Sequence, residues 1–530
     1  MRQLLASRRV VLSTFICFVL VLTFYHSYEP SALAGPLGSK LDTPCHIWPD
    51  WEDSNPARLL YNTVKTKTRP VLGDAAFIGD PDRCLLAGRR LGQYQATEGR
   101  NWDEVRWGDV QRSCAARNNK PEVKNEFGGI WHQLPESWKI DTTTSAAGGE
   151  PGRTAIVLRT WDNYNYSEPR RAWLRALIAE TALHSGGAYE VFLLVNVKDG
   201  SIPLDTDEAA YERALRETVP DEFRDMALLY NNRVLERWYP KVEEHGAQDQ
   251  MYQALQIFAH RFPRFAHVWQ LEMDLRLTGH AHATLERAAA WARAQPRRNL
   301  WERNGRFYIP QLHGGSYAAF AAAVDAEVGV DGGVWGPART EDFEPRGPVP
   351  PPRSQTDWGA GEDPDLVSLM PMIDTNGTEW IYEGAVHGFA AGAAGTPQRA
   401  AFVSMTRASR RLLLLVSEAQ RERGRWLVSE ATLETFALLH GLKAVSVPHP
   451  IAFDADVSPR QADELVNQGP PHSRAGGKKP SMAYSTSGWV AGPWFHASYW
   501  FAADEAPTYW HRYLGGECMP PMLLHPVKDE

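Results

Sequence analysis

The chain has 530 residues, of which 43% are hydrophobic and 23% charged, and its formal net charge is −8. These proportions are ordinary for a globular protein, and the length is enough for one large core or two moderate ones. The negative net charge argues against a nucleic-acid partner, because contacts with a phosphate backbone need a basic face.

A charge-free apolar run at residues 10–25 follows three arginines near the N-terminus. Positive charge before an apolar run stays in the cytosol, so we predict a type II signal-anchor with residues 1–9 as cytoplasmic tail. This organisation predicts a single-pass protein of the Golgi or ER membrane with a large lumenal domain. The alternative is a cleavable signal peptide, because the Ala-Leu-Ala sequence at 32–34 offers a small-x-small cleavage pattern.

The rest of the chain divides by composition. Residues 26–60 contain several prolines and glycines without sustained periodicity, which is typical of a stem. We expect an N-terminal lumenal extension at 61–150, a catalytic domain at 151–515 and a C-terminal tail at 516–530.

Four cysteines follow the predicted anchor: Cys45, Cys84, Cys114 and Cys518. In the oxidising lumen we expect disulfides, and four cysteines allow three pairings that sequence alone cannot choose between. We favour Cys84–Cys114, which closes the shortest of the non-terminal loops; the alternative is that all four are buried free thiols.

Two tripeptides match the acceptor pattern for N-glycosylation. They begin at Asn165 and at Asn376, and each would accept a glycan if exposed. Such tripeptides are common by chance, so they support the lumenal compartment only weakly.

From residue 154 onward, apolar runs alternate with helical patterns. In chain order we predict a strand at 154–160, a helix at 169–185, a strand at 189–197, a helix at 207–217, a strand at 226–230, a helix at 248–262 and a strand at 267–277. Near-continuous apolar strands alternating with helices predict an α/β, Rossmann-like fold, with a mostly parallel sheet and helices on both faces.

Two acids close the last of these strands. Glu272 and Asp274 are separated by one residue, so they project to one side of the sheet, and ligands bind beyond the carboxyl ends of such strands. A pair of this kind would hold a divalent cation, Mn²⁺ or Mg²⁺, against diphosphate oxygens. The alternative is an exposed acidic strand end paired with Arg276.

A second acidic element is the turn WGAGEDPDL at 358–366. Its glycines let backbone approach a ligand, and Glu362, Asp363 or Asp365 would accept a proton from a sugar hydroxyl. The alternative is helix capping, because acids favour the first turn of a helix and the apolar residues 366–369 look like a helix start.

Together, the acid-x-acid strand end and the Trp-Gly acidic turn resemble the GT-A glycosyltransferase domain. The resemblance implies that Glu272 and Asp274 correspond to its "DxD" metal site, although Glu272 departs from aspartate. The turn looks like the "WGGED" element of inverting galactosyl- and N-acetylgalactosaminyl-transferases, with Ala360 as an extra residue. By that resemblance, Asp363 would be the base and Glu362 an acceptor contact.

A wider resemblance covers most of residues 150–515. The segments at 158–166, 189–199, 269–280, 301–310, 334–337, 358–366 and 440–445, together with an arginine-rich helix at 406–412, look like a fungal family of type II membrane proteins. That family is known chiefly as a domain of unknown function. It therefore implies no reaction.

The remaining candidate ligands lie at strand ends and after the acidic turn. His440 and His449 follow the turn where GT-A enzymes often place a third metal ligand, although a histidine is more often structural. Arg159, Thr160 and Trp161 end the first strand, where such folds meet the nucleotide, and Trp161 would stack on a uracil unless it is a core residue.

These patterns favour a metal-dependent glycosyltransferase. Its donor would be a UDP-type nucleotide sugar and its acceptor a lumenal glycan or glycoprotein, and a base in the turn implies inversion. The alternative is a non-catalytic glycan-binding or scaffold protein on a degenerate transferase fold. A metal-free glycosidase with two carboxylates fits the pattern less well.

Overall fold

A seven-stranded sheet forms the centre of the protein in the computed structural model, which describes residues 42–48, 61–66, 69–96, 101–120, 131–134, 153–329, 332–378, 380–453, 457–467 and 496–528. Its strands, in chain order, are β1 (Arg153–Trp161), β2 (Tyr189–Asn196), β3 (Ala227–Tyr230), β4 (Phe265–Glu272), β5 (Leu366–Ser368), β6 (Thr406–Ser409) and β7 (Ala444–Ser446). Their spatial order is β7-β5-β6-β4-β1-β2-β3. Six strands run in one direction, and β6 runs antiparallel to both of its neighbours.

Both faces of this sheet are covered. Successive residues of a strand point to opposite faces, and Ala155, Ile156, Val157 and Leu158 of β1 are all fully buried. Strands of that kind read as continuous apolar runs, which is why the sequence pattern identified them. The prediction of an α/β fold around a mostly parallel sheet is therefore confirmed.

Helices connect and cover the strands. The longer ones are α1 (Trp107–Arg117), α2 (Glu168–Ile178), α3 (Glu208–Thr218), α4 (Tyr252–Arg261), α5 (Ala281–Ala294), α6 (Tyr317–Val328), α7 (Arg410–Arg423), α8 (Ser429–His440), α9 (Pro459–Val466) and α10 (Ala506–Leu514). Shorter helices lie at Ala87–Leu91, Asn232–Trp238, Leu300–Asn304 and Gly392–Gly395. None of the helices in the described ranges is long and apolar enough to cross a membrane. The predicted anchor at 10–25 and most of the predicted stem lie outside those ranges.

Two elements predicted as helical are strands. The apolar residues after the acidic turn form β5, and the start of the arginine-rich segment forms β6, with α7 beginning only at Arg410. Leu366 and Val367 are fully buried, and the residues of β6 and β7, the strands on either side of β5, are buried too. A short apolar run fits a buried strand and a buried helix equally well, so periodicity could not distinguish them.

The predicted C-terminal tail is instead part of the fold. Thr43–Glu530 form one compact unit, without a boundary near 150 or 515. Leu523–Leu524 pair in antiparallel fashion with Arg276–Leu277, just beyond β4. The other two-stranded ladders are Asn62–Thr63 with Arg83–Cys84, Ile373–Asp374 with Arg399–Ala400, and Val386–His387 with Trp426–Leu427.

Both glycosylation candidates stand on the surface. Asn165 lies in the loop between β1 and α2, and Asn376 lies in the turn that follows Ile373–Asp374. Both side chains are exposed, as a glycan acceptor must be. Their modification stays a prediction.

The disulfide prediction is wrong in its pairing. Cys45 bonds to Cys114 and Cys84 bonds to Cys518, with Cα–Cα distances of 5.8 and 5.4 Å. The loop-length argument failed because the segments that carry Cys45 and Cys518 fold back onto the core. The second bond joins residues 434 positions apart and ties the C-terminal segment to the N-terminal region.

We expect the double variant Cys84→Ser/Cys518→Ser to lose about 2–4 kcal/mol of unfolding free energy and so to unfold at a lower temperature than wild type, because the cross-link restricts the unfolded chain. In calorimetry under reducing conditions, the unfolding temperatures of the variant and of wild type should become equal. Peptide mapping of unreduced protein should find Cys45 joined to Cys114, and a peptide joining Cys84 to Cys114 would contradict the pairing.

Candidate functional site

The strand order reverses between β1 and β4. From β1 the chain proceeds to β2 and β3 on one side, whereas β4 lies on the other side, parallel to β1. In open α/β sheets, ligands bind outside the carboxyl ends of the strands at such a reversal. Arg159 and Glu272 lie opposite each other in register at this point.

Two acids and a histidine converge there. Glu272, Asp274 and His525, the acid–histidine cluster, each offer one ligand atom within 4.8 Å of the others. Nε2 of His525 lies 3.3 Å from Oε2 of Glu272 and 3.3 Å from Oδ1 of Asp274. The predicted pairing of the acids with Arg276 is not what the structure shows, since Arg276 donates to the carbonyls of Met273 and Leu275.

Two neighbouring segments bring the cluster together. Beyond Glu272 the chain turns and enters the ladder with Leu523–Leu524, which precedes His525 directly. The backbone N–H of Val527 donates to the carbonyl of Asp274 at 2.8 Å. The C-terminal segment therefore delivers the histidine to the end of β4.

A hydrogen bond on its far side orients His525. Nδ1 lies 2.7 Å from the carbonyl oxygen of Trp500, which can only accept, so Nδ1 carries a proton. Nε2 is thereby directed at the two carboxylates. Metal-binding histidines commonly have this arrangement, in which the second ring nitrogen donates to a carbonyl or carboxylate.

The electrostatics of the cluster follow from its charges. Burial would raise the pKa of Glu272, but Arg159 and His525 lower it to about 2. Burial would lower the pKa of His525, but hydrogen bonds to Asp274 and Glu272 raise it to about 10. Two carboxylates and one imidazole are ligands that divalent transition metals accept. This donor set would therefore suit Mn²⁺ in place of the proton that His525 shares with the two acids.

Arg159 connects the cluster to the neighbouring loop. Its Nη2 donates to Oε1 of Glu272 at 3.1 Å, and its Nη1 donates to the carbonyl of Ala247 at 3.4 Å. The guanidinium keeps part of its surface exposed, so an incoming anion can reach it. Arg159 therefore supplies positive charge beside the two acids.

The two residues after Arg159 differ in exposure. Thr160 is buried and supports the end of β1, whereas 41% of Trp161 is exposed. The Trp161 ring contacts Tyr164 edge to face at 5.2 Å. An exposed indole at a reversal of strand order offers a stacking face for a planar ligand.

The acidic turn lies at the opposite end of the sheet. Asp365 precedes β5, and its carbonyl accepts the N–H of Ser409, which is aligned with His267 near the start of β4. Glu272 lies five positions after His267, or about 16 Å further along the strand. The prediction that an acid of this turn acts beside the metal site is therefore wrong.

Each acid of the turn is instead held by an arginine. The pairs and their shortest N–O distances are Arg407–Asp363 (2.9 Å), Arg297–Glu362 (2.8 Å) and Arg411–Asp365 (2.6 Å). Asp363 also lies 3.9 Å from His267. Glu362, Asp363 and Asp365 thus join the turn to the sheet and to the neighbouring helices by ion pairs.

The two histidines predicted as third ligands lie elsewhere. His440 ends α8, where its Nδ1 accepts from the backbone N–H of Arg346. His449 is buried with Nε2 against the carbonyl of Leu369. Neither belongs to a metal-sized cluster among the described residues. The sequence offered little signal for His525, because it lay in a segment interpreted as a tail.

A separate pocket lies beyond β5 and β7. It is lined by aromatic side chains and arginines, among them Arg303, Arg306, Tyr308, Tyr317, Phe320 and His449. The His449 ring packs edge-on against Tyr499 at 4.5 Å, and Tyr499 in turn lies 5.9 Å from the His525 ring. Tyr499 therefore lies between the pocket and the acid–histidine cluster.

Comparison with known families identifies this chain at the level of family. The family model described as "Protein of unknown function (DUF3405)" matches residues 89–529. The chain belongs to this family. The match includes β1, β4 and the C-terminal segment with His525, so the whole candidate site lies within the DUF3405 region. No curated protein matches the chain.

We expect Asp363→Asn to destabilise the protein by roughly 1–3 kcal/mol, between the values for exposed and buried ion pairs, because it leaves Arg407 without its partner. Burial raises the pKa of Asp363, but Arg407 holds it well below its usual 3.8. A depressed pKa stabilises the fold above the unfolded-state pKa, so the difference should shrink as pH falls below about 4.

Thermal unfolding between about pH 2 and pH 8 measures this difference. Asp357→Asn, at an exposed acid just before the turn, is the matched control and should leave the midpoint unchanged. Unchanged stability of Asp363→Asn together with lost turnover would contradict the structural role.

Proposed function

We propose that this protein is a metal-dependent glycosyltransferase with a GT-A-like catalytic domain. It transfers a sugar from a UDP-type nucleotide sugar to a glycan or glycoprotein acceptor. The observation that carries the proposal is the convergence of Glu272, Asp274 and His525 at the reversal of strand order, beside Arg159 and Trp161.

Asp274 and His525, with Glu272, would hold Mn²⁺ or Mg²⁺. When bound, the metal would neutralise charge on the departing diphosphate. Glu272 has one oxygen committed to Arg159 and the other near His525, so Asp274 is the acid with the fewest competing contacts within the cluster. This difference makes Asp274 the principal carboxylate ligand.

Arg159 and Trp161 would bind the nucleotide. The Arg159 guanidinium lies between Glu272 and the carbonyl of Ala247, where it can turn donors toward a diphosphate. The exposed Trp161 ring offers a face for the uracil. Thr160 is buried at the strand end and positions its two neighbours.

Two disulfides support a lumenal location in the Golgi or ER. Cys45–Cys114 and Cys84–Cys518 would be kept reduced in the cytosol but persist in an oxidising compartment. A type II signal-anchor at 10–25 would place the domain in that compartment and attach it to the membrane.

The alternative is a non-catalytic glycan-binding or scaffold protein on a transferase-like fold. One observation favours it, because Glu272 and His525 already satisfy each other and Arg159 without any ligand. A protein of that kind would bind no nucleoside diphosphate. Nucleotide binding therefore separates the two functions.

We expect the full chain to bind UDP in the presence of Mn²⁺, and Asp274→Asn to weaken that binding at least tenfold, or about 1.4 kcal/mol, because it removes a charged ligand. The substitution changes the side-chain volume little, so the unfolding temperature without UDP should be nearly the same as that of wild type. Calorimetric titration with UDP measures the dissociation constant for wild type and for the variant.

Asp504→Asn is the matched control. Asp504 belongs to a second, largely exposed acid–histidine group with His496 and Glu505, and its substitution should leave UDP binding unchanged. Wild-type protein that binds no UDP with either Mn²⁺ or Mg²⁺ would overturn the transferase proposal in favour of the scaffold.

A further inference from the structure

The start of α8 lies against the loop that holds Arg159. Oγ of Ser429 accepts from the backbone N–H of Met251 at 2.9 Å and donates to the carbonyl of Gln248 at 2.7 Å. The carbonyl of Ala247, in the same loop, accepts from Arg159. The first turn of α8 is therefore joined to the candidate site through residues 247–251.

A second contact places this turn at the carboxyl ends of the parallel strands. β6 is antiparallel and begins with Thr406, which is aligned with Gln270 near the end of β4. The segment entering β6 therefore lies at the same end of the sheet as Glu272. In that segment, the N–H of Ala401 donates to the carbonyl of Glu430 at 2.8 Å.

Glu430 has no ion pair with another described residue, and its side chain is half-buried. The charged and titratable groups that act on it or feel its charge are Asp249, Arg159, Glu272, Glu434, Tyr252 and Tyr382. Burial raises the pKa of Glu430 to about 7; Asp249 adds to the rise and Arg159 opposes it. A general base works best with a pKa near the operating pH.

One turn further along α8 lies a second carboxyl group. Glu434 is 1% exposed, and its Oε2 has no hydrogen-bond partner among the described residues. Burial and the charge of Glu430 raise its pKa well above the usual value, which favours the protonated form. A buried acid without an ion pair costs stability. Groups with strongly shifted pKa values are found most often at functional sites, where such a cost serves the chemistry.

We propose that Glu430 is the catalytic base of this enzyme, taking the proton from the acceptor hydroxyl. This assignment rests on the proposed glycosyltransferase function. It fills the role that the acidic turn cannot fill, because the turn lies at the other end of the sheet and its acids are paired with arginines.

The step balances as a single displacement. The hydroxyl O–H bond breaks and its proton moves to the Glu430 carboxylate, while the hydroxyl oxygen forms a bond to the anomeric carbon of the donor sugar. The bond between that carbon and the diphosphate oxygen breaks, and its electron pair leaves with the nucleoside diphosphate. One displacement inverts the anomeric configuration.

The test compares Glu430→Gln with wild type in the full chain. Release of UDP from UDP-glucose, UDP-galactose and UDP-N-acetylglucosamine, with Mn²⁺ and with water as acceptor, should fall by roughly 10²–10⁴. The dissociation constant for UDP with Mn²⁺ should stay within about twofold, because a base contributes to the chemical step. The matched control is Glu236→Gln, an exposed glutamate on helix Asn232–Trp238, which should change neither quantity.

The outcomes separate the two proposals. Wild-type protein that binds no UDP removes the transferase function and the base with it. Wild-type protein that binds and releases UDP, with an equally active Glu430→Gln, overturns the base assignment alone. Loss of turnover in Asp249→Asn but not in Glu430→Gln would transfer the role to Asp249. A wild type that binds UDP but releases it from no donor also overturns the assignment.

Thermal unfolding gives a second readout that needs no donor. The raised pKa means that Glu430 holds its proton in the folded state between about pH 4.5 and 7, whereas the unfolded chain has lost it. Stability contributed by Glu430 is therefore lost as pH rises through this window. Glu430→Gln should gain stability over wild type at pH 8 relative to pH 5, and a constant difference would contradict the burial of a working base.

Discussion

The antiparallel pairing of Arg276–Leu277 with Leu523–Leu524 is the contact on which the candidate site depends. It carries the chain directly into His525, and neighbouring bonds reinforce it: Thr278 Oγ1 donates to the carbonyl of Pro520 and accepts from the N–H of Met522. The disulfide at Cys518 holds the same segment from the other side. Without this pairing, Glu272 and Asp274 would be two acids at a strand end, a very common pattern.

Buried charges in this protein are of two kinds. Arg90 with Glu180, and Arg175 with Glu222, form fully buried pairs at 2.6 and 2.8 Å, where each charge is compensated by its partner. Removal of one member would leave an uncompensated buried charge, so both members of each pair are needed for the stability of the fold. Among the described residues, Glu434 has no ion-pair partner, and its Oε2 accepts no hydrogen bond. A buried acid without an ion pair is a cost to the fold, and the catalytic role proposed for its neighbour Glu430 gives that cost a reason.

The parts of the fold that the sequence could predict are those in which local pattern and tertiary structure agree. β1 and β2 are uniformly apolar because both faces of the sheet are covered, and they were located within one or two residues. Leu366–Ser368 is too short to show a period, so its conformation depended on neighbours that only the fold supplies. The partners of Cys45, Cys518 and His525 depend on long-range return of the chain, which spacing along the sequence does not encode.

The direction of a strand decides what an acid near it can do. Glu272 ends β4 and Asp365 precedes β5, and since these strands are parallel, the two acids lie at opposite ends of the sheet. β6 reverses the rule, because the residues that precede it lie at the carboxyl end of β4, and one of them contacts Glu430. In sheet order β4 separates β1 from β6. Arg159 and Trp161 end β1 on one side of β4, and Ala401, which contacts the carbonyl of Glu430, precedes β6 on the other side. The proposed nucleotide contacts and the proposed base therefore reach the same end of the sheet from the two strands that flank β4.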